Sequence, residues 1–254
     1  MHYRNALRLI GACVSGALVA ACAPAARSAQ PSVPSQPAGS SFAPAPLNTL
    51  TPAERATGWR LLFDGRTTAG WRGWKMDSMP SGWQAVDGAL TRVSPAADII
   101  TTEKFRNFEL SLEWNIAPNG NSGIFYRASE DDDAIYWSAP EMQVLDDAGH
   151  PDGQSRLTAA GADYGLYPSP AGVVKPAGQW NQVRVVVNGN HVEHWLNGVK
   201  VVEYELGSPD WEAKVKDSKF APHAHYGRNA EGYIGLQEHE FRVAFRNIKI
   251  RVLP

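Results

Sequence analysis

Glu141 and Gln143 alternate with Met142 and Val144 in a short run of strand-forming residues. In a strand, this alternation puts the carboxyl and the amide on one face and the apolar side chains on the other. Asp146 follows at the end of the run. Such groups bind sugar hydroxyls, and a carboxylate can also move a proton. We predict that Glu141 is catalytic and that Gln143 and Asp146 bind substrate, with a solvated outer face as the alternative.

A similar polar face is predicted near the end of the chain, where Gln237 and His239 alternate with Leu236 and Glu238. Gly235 shares this face, and its missing side chain leaves room for a ligand. Histidine titrates near neutral pH and therefore suits a base, an acid or a metal ligand. We predict that His239 is catalytic and that Gln237 binds substrate. The alternative is a surface histidine at a strand end.

Four further residues have two interpretations each. Glu113 lies on the polar face opposite Trp114 and is either a second catalytic carboxylate or ordinary surface. Tyr126 is either a substrate-binding residue or a core aromatic residue. His194 shares its parity with apolar neighbours, so it either binds substrate or is a hydrogen-bonded interior histidine. Trp195, on the opposite face, is a platform for a sugar or part of a surface stripe.

Composition excludes several other function classes. The chain has 24 basic and 26 acidic residues, a net charge of −2, so no cationic excess exists to bind nucleic acid. The sequence contains no Gly-rich phosphate loop, no paired-His zinc helix and no Gly-x-Ser-x-Gly elbow. Polar groups beside Trp and Tyr rings remain, and that combination suits carbohydrates.

The elements that must position these residues are mostly strands. Apolar and polar residues alternate without a break over residues 108–114, and similar alternation recurs over residues 183–187 and 241–251. The dipeptides Asp87-Gly88, Asn188-Gly189 and Asn197-Gly198 are typical of hairpin turns. Long amphipathic helices are missing. The pattern predicts an all-β sandwich of two antiparallel sheets, with about ten to twelve strands.

The first residues resemble a targeting signal and not a part of the folded domain. An apolar run ends in Val19-Ala20-Ala21-Cys22, which resembles a bacterial lipobox. We predict a signal peptide over residues 1–21 and lipidation at Cys22, with a plain secretory signal as the alternative. Residues 22–50 are rich in Pro, Ser and Ala and predict a tether, which leaves one domain over residues 51–254. The expected location is the cell envelope, on the outer membrane facing the periplasm, with the lipid as the sole membrane contact.

Several separated motifs resemble the 3-keto-disaccharide hydrolase domain family, over roughly residues 57–252. The motifs lie at residues 61–65 (LLFDG), 121–127 (NSGIFYR), 140–146 (PEMQVLD), 164–167 (YGLY), 175–181 (KPAGQWN), 189–198 (GNHVEHWLNG) and 234–239 (IGLQEH). The resemblance implies a concanavalin-like jelly-roll β-sandwich that acts on glycosides already oxidised at C3. Glu240 departs from the family pattern, which usually has Gly after the final His.

The implied substrate explains the residue types. A ketone at C3 acidifies the C2 proton, so a base can remove it and the group on C1 can leave by elimination. Water then adds back to give net hydrolysis. This route needs a base, a group that stabilises the enolate oxygen and an acid for the leaving oxygen. A divalent cation is an optional cofactor for the second role, with Glu141, His194 and His239 as candidate ligands if they converge.

The resemblance also implies a partner reaction, since a separate sugar C3 oxidoreductase must make the ketone. Two other functions stay open from the residues alone. One is a non-catalytic, lectin-like carbohydrate-binding module, because the fold does not fix the function. The other is a conventional glycosidase that uses Glu141 and Glu113 as its pair of carboxylates.

Overall fold

The structure is a computed structural model that describes residues 46–254. Strands form most of the fold, together with two short helices and two 3₁₀ turns, at Ile135–Trp137 and Pro151–Gln154. The helices are α1 (Pro52–Ala56) and α2 (Pro209–Lys216). The strands are β1 (Trp59–Leu61), β2 (Trp71–Gly73), β3 (Trp83–Val86), β4 (Ala89–Arg92), β5 (Ile99–Phe105), β6 (Phe108–Ile116), β7 (Asn121–Ala128), β8 (Glu141–Leu145), β9 (Asn181–Asn188), β10 (His191–Leu196), β11 (Val199–Glu205), β12 (Gly232–Leu236) and β13 (Val243–Val252).

The strands form two antiparallel sheets. The larger, eight-stranded sheet has the order β11-β10-β9-β6-β13-β4-β3, and β1 pairs with β13 beside this path. The smaller, five-stranded sheet has the order β2-β5-β12-β7-β8. The predicted all-β sandwich of two antiparallel sheets is confirmed.

The core lies between the sheets, where the alternating apolar residues of each strand meet. In β6, Leu110, Leu112 and Trp114 are buried in this core, while the residues between them form the outer face. In contrast, β7 is buried along its whole length. Tyr126 packs into the main core, whereas Phe125 packs into a second cluster with Ile135. The outer face of the smaller sheet is therefore covered, and the covering segments build the candidate site.

The hairpin signals mark real turns. Asp87-Gly88 joins β3 to β4 and Asn197-Gly198 joins β10 to β11, with positive φ at all four residues. The third turn lies one residue later than predicted, because Asn188 still pairs with His191.

The packed part of the chain begins before the predicted boundary at residue 51. The backbone N–H of Asn48 donates to Asn247 Oδ1 (2.7 Å), and the N–H of Asn247 donates to Asn48 Oδ1 (2.8 Å). Thr51 and Glu54 form a capping box that starts α1, as their spacing suggests. The predicted signal peptide, Cys22 and the tether up to residue 45 lie outside the described residues. Within residues 46–254, every helix is too short or too polar to span a bilayer.

Candidate functional site

A cavity of about 340 Å³ lies over the outer face of the smaller sheet. Strands β7 and β8 and the segment that follows β12 form its floor, and three other segments form its walls. Its lining residues are Asn121, Tyr136, Trp137, Glu141, His150, Asp152, Tyr164, Lys219, Gln237 and His239. Of the residues predicted from the sequence, Glu141, Gln237 and His239 meet here, from segments that are far apart in the chain.

Glu141 lies at the floor because the adjacent strand leaves it space. It stands opposite Phe125 in the β7–β8 ladder, and Gly123 lies two residues away on the same face. A Cβ atom at Gly123 would lie 2.1 Å from Glu141 Oε1, so only glycine permits this carboxyl position. Among residues 46–254, no cation forms an ion pair with this carboxylate. The floor thus presents a buried carboxyl group without a charge partner in direct contact.

Burial raises the pKa of Glu141 to about 8, because desolvation disfavours the charged carboxylate. The nearby ammonium of Lys219 opposes this shift, while the carboxyl groups of Asp98, Asp163 and Asp152 add to it. A carboxyl group with a pKa near neutrality can both accept and return a proton under ordinary conditions. The environment therefore suits proton transfer by Glu141.

An aromatic wall stands over the sheet because of a second glycine. A Cβ atom at Gly235 would lie 2.6 Å from Cδ1 of Ile135. The space that we expected to hold a ligand therefore holds Ile135, whose 3₁₀ turn carries Tyr136 and Trp137 into the wall. Trp137 in turn stacks on His223, with ring centroids 3.9 Å apart. Such rings suit the apolar faces of a sugar.

The loop after β8 supplies a second wall. His150 caps the 3₁₀ turn at Pro151–Gln154, since its Nδ1 accepts the backbone N–H of Asp152 at 3.1 Å. Neutral His150 must then carry its proton on Nε2, where it is a donor. Tyr164 donates its hydroxyl to Asp152 Oδ2 at 3.1 Å. The loop thus holds an imidazole donor and a phenol beside the carboxyl group of Glu141.

The segment after β12 is held from the other sheet. Arg92 on β4 donates from Nε to Glu238 Oε1 (2.8 Å) and from Nη1 to the Glu240 carbonyl. These bonds flank His239, whose ring lies 6.5 Å from that of His150 between centroids. Glu240 has φ of +61°, a left-handed conformation that glycine adopts with least strain. Arg92 therefore positions His239 at the cavity.

Gln237 joins the lining with its carbonyl fixed and its amide oxygen free. Ser122 Oγ donates to the Gln237 backbone carbonyl at 2.8 Å. Gln237 Oε1 is buried and has no hydrogen-bond partner among residues 46–254. A buried acceptor in this state is ready to receive a donor from a ligand, such as a sugar hydroxyl.

Two of the predicted substrate-binding residues lie beside the cavity and support its loop instead of lining it. Gln143 is buried, and its Nε2 donates to the Thr158 carbonyl at 3.1 Å. Asp146 Oδ2 accepts the backbone N–H of Asn119 at 2.8 Å. Parity placed Gln143 on the correct face, but residues 155–162 cover it, which the local pattern does not reveal.

Tyr126 and His194 lie between the sheets, which corrects their predicted placement at the site. His194 is fully buried, and its Nδ1–H donates to the Gly161 carbonyl at 3.1 Å. Its Nε2 therefore accepts the Tyr126 hydroxyl at 2.8 Å, and that hydroxyl meets the Tyr204 hydroxyl at 2.6 Å. Burial lowers the pKa of His194 to about 4. This is the interior alternative that its parity left open.

Glu113 and Trp195 lie on the outer face of the larger sheet, away from this cavity. Glu113 Oε2 accepts from Arg246 Nε at 2.7 Å, and Oε1 accepts from Asn247 at 3.0 Å. The guanidinium of Arg184 covers the Trp195 ring at 4.3 Å. Both residues are thus surface groups that interact with neighbouring side chains. The sequence did not reveal this, because strand parity cannot tell which of two outer faces carries a site.

The predicted metal ligands do not fit together, because both ring nitrogens of His194 are engaged inside the core. Within the described part of the chain, one group of three side chains has ligand spacing, His191, Glu193 and Glu203 on the larger sheet. Lys200 Nζ already lies 2.7 Å from Glu203 there. The residues around the cavity therefore do not form the predicted ligand set.

Sequence reasoning missed several lining residues, above all Lys219, Asp152 and Tyr164. They come from loops, where no periodicity marks the side that a residue faces. His150 stood in a polar cluster after β8, and that cluster was the one available signal. Lys219 follows α2, a helix whose Ser cap and first-position Pro are readable in the sequence.

Comparison with known proteins gives consistent relatives. Residues 58–251 match the family of 3-keto-alpha-glucoside-1,2-lyase-like domains. A protein named 3-keto-disaccharide hydrolase from Bacteroides thetaiotaomicron is 37% identical over 241 residues, covering 82% of this chain and 83% of that protein. Two crystal structures of candidate glycosyl hydrolases from Parabacteroides distasonis are also similar. One is 32% identical with a TM-score of 0.78, covering 82% of this chain and 100% of that one. The other is 30% identical with a TM-score of 0.63, covering 77% and 99%. The chain therefore belongs to the 3-keto-alpha-glucoside-1,2-lyase-like domain family.

Proposed function

We propose that this protein is a carbohydrate-active hydrolase that cleaves 3-keto-disaccharides in the cavity over the smaller sheet. The relative from Bacteroides thetaiotaomicron bears the name of this activity. The observation that carries the proposal is the carboxyl group of Glu141, buried at the floor of a cavity with aromatic walls and a pKa of about 8.

The proposed reaction is an elimination followed by hydration. Glu141, as a carboxylate, takes the C2 proton, which the C3 ketone has acidified. The electron pair forms a C1–C2 double bond by way of the enolate, and the glycosidic oxygen leaves C1 with the bonding pair. Water then adds across the double bond, with hydroxyl at C1 and hydrogen at C2. The net change is hydrolysis, with no oxidant consumed.

The histidines fit the proton transfer to the leaving oxygen. His239 lies in the exposed segment after β12 and lines the cavity, so we assign it as the general acid. Gln237 and the Nε2–H of His150 are assigned to sugar hydroxyls. No step uses a metal ion, since the predicted ligands do not assemble.

The test compares a ketone substrate with its parent. Purified protein is incubated with a 3-keto-disaccharide and with the same disaccharide unoxidised, and released monosaccharide is measured. We expect cleavage of the ketone alone. Cleavage of both would instead support a conventional glycosidase, and binding without cleavage would support a lectin-like module. The glycosidase alternative is disfavoured because Glu141 and Glu113 lie on different sheets.

Isotopic labelling tests the elimination step separately. With deuterium at C2, the rate should fall if proton removal limits turnover, and label should wash into water if removal is reversible. An enzyme that cleaves the ketone and gives neither effect would contradict a C2 carbanion.

We also propose that the protein acts in the cell envelope as a lipoprotein, beside a C3 oxidoreductase that supplies its ketone. The proposal rests on the lipobox-like Val19–Cys22 and on the substrate, which must be oxidised before it can be cleaved. Mass spectrometry of the mature N-terminus should find a diacylated Cys22. An unmodified N-terminus in membrane-extracted protein would contradict the anchor.

A further inference from the structure

Lys219 is a cation that aromatic rings hold at the wall of the cavity. Its Nζ lies 4.3 Å from the ring centroid of Tyr164 and 5.7 Å from that of Tyr136. Rings attract an ammonium group through their negative faces, and they leave its N–H groups free to donate. Among residues 46–254, no carboxylate forms an ion pair with Lys219. The ammonium is thus positioned without being neutralised by direct contact.

The chemistry of the cavity lacks one group that Lys219 can supply. Removing the C2 proton moves negative charge onto the C3 oxygen, and this charge needs a cation or a strong donor. Among the ten lining residues in the described part of the chain, Lys219 is the single lysine or arginine. Its field reaches Glu141, whose ionised form it favours. The ammonium of Lys219 therefore acts on the proposed base and is available to a carbonyl oxygen in the same cavity.

On the basis of the proposed function, we propose that Lys219 is the electrophilic catalytic residue, whose ammonium binds the C3 oxygen and stabilises the enolate. When Glu141 takes the C2 proton, the C–H electron pair forms the C2–C3 double bond and the carbonyl pair moves to oxygen. The carbonyl then re-forms as the C1–O bond breaks. Lys219 stays protonated throughout and forms no covalent bond.

A lysine beside a ketone has an alternative chemistry, which the test must separate. As a free amine, Lys219 would condense with the C3 carbonyl, lose water and give an iminium ion. Lys219 is exposed as a residue, and the partial desolvation of its ammonium against the cavity wall lowers its pKa, while Glu141 and Asp152 oppose that shift. Borohydride reduces an iminium ion to a stable secondary amine, so it converts this alternative into a mass increase on a peptide that contains Lys219.

The experiment uses K219M and K219R, with K216M as the matched control on an exposed lysine of α2. The probes are the 4-nitrophenyl 3-keto-glucosides of both anomers. We expect K219M to lower kcat by about 10²-fold, with a smaller change in KM, because the ammonium stabilises the enolate more than it stabilises the bound ketone. K219R should recover at least part of the loss, and K216M should match the wild type.

A pH profile supplies a readout that a merely structural role would not move. Without the ammonium, the pKa of Glu141 should rise, so the rise of kcat/KM with pH should lie at higher pH in K219M than in the wild type. Thermal unfolding of each variant checks that the fold is intact.

The outcomes separate the two proposals. Wild-type rates and an unshifted profile in K219M, with wild-type protein that cleaves the ketone, would overturn the role of Lys219 and leave the proposed function standing. Borohydride-dependent labelling of Lys219 would also overturn the electrostatic role, in favour of an iminium ion. A wild-type protein that cleaves neither anomer nor a 3-keto-disaccharide would overturn both.

Discussion

The outer faces of the two sheets both carry glutamate side chains, but these differ in their ion pairs. On the larger sheet, Glu113 is held by Arg246, and Glu109 is held by Arg184 and Arg251. On the smaller sheet, Glu141 forms no ion pair within residues 46–254, and loops cover it. The alternation of residues along the strands places carboxylates on the outer faces of both sheets. Glu109 is as little exposed as Glu141, so burial alone does not mark the site. What distinguishes Glu141 among the described residues is that no cation contacts its carboxyl group directly, which leaves the group free to react.

The most direct test of this difference makes the same substitution, glutamate to glutamine, on both faces. E141Q should lower kcat/KM for a 3-keto-disaccharide by about 10³-fold, because the amide keeps the shape and cannot accept a proton. E113Q should stay within about twofold of the wild type, since its carboxylate only pairs with surface cations. Steady-state kinetics measures both. Equal losses in the two variants would remove the distinction between the faces.

The histidines offer a second matched pair. H239Q should lower kcat by about 10²-fold, because the leaving oxygen loses its acid. H191Q should leave kcat unchanged, since His191 lies on the larger sheet among Glu193, Glu203 and Glu205. A leaving group of low pKa needs less protonation, so 4-nitrophenol should rescue H239Q in part. A loss that is the same for every leaving group would argue against the acid role.

The pH dependence of stability sharpens the comparison. The pKa of Glu141 is raised to about 8 in the folded protein, so the folded state keeps a proton that the unfolded chain releases above about pH 4.5. Stability should therefore fall as pH rises from 4.5 to 8. E141Q should remove this share of the fall and be more stable than the wild type above pH 7, which thermal unfolding across pH can measure. Asp163, whose pKa burial also raises to about 8, should keep part of the fall in both proteins.

The smallest expected effect concerns the paired carboxylates. A double-mutant cycle on Glu113 and Arg246 should give a coupling energy of no more than about 1 kcal/mol, because both side chains are partly exposed and water screens them. Chemical denaturation of the two single variants and the double variant measures it. A coupling of several kcal/mol would mean that the larger sheet also holds a strongly desolvated charge.

The alternation of apolar and polar residues was sufficient to predict the two sheets and one side of the site. It put Glu141 on an outer face and grouped Gln237 with His239, since period-two patterns report the face directly. It could not tell the outer face of β6 from that of β8, so Glu113 stayed a candidate catalytic residue beside Glu141. Nor could it show that Gly235 makes room for Ile135 instead of a ligand, because that contact joins residues about a hundred positions apart.

Loop residues were beyond such reasoning for a different reason. Lys219 and Tyr164 meet because a helix and a long loop cross over the sheet, and no local pattern encodes that crossing. The same holds for His194, whose two bonds inside the core depend on Gly161 and Tyr126.

The reciprocal bonds between Asn48 and Asn247 fix where the chain enters the sandwich. Residues 46–51 lie beside Glu113 and Arg246, on the opposite side from the mouth over β8. The packed chain therefore begins on the face of the larger sheet, whereas the cavity opens on the face of the smaller sheet.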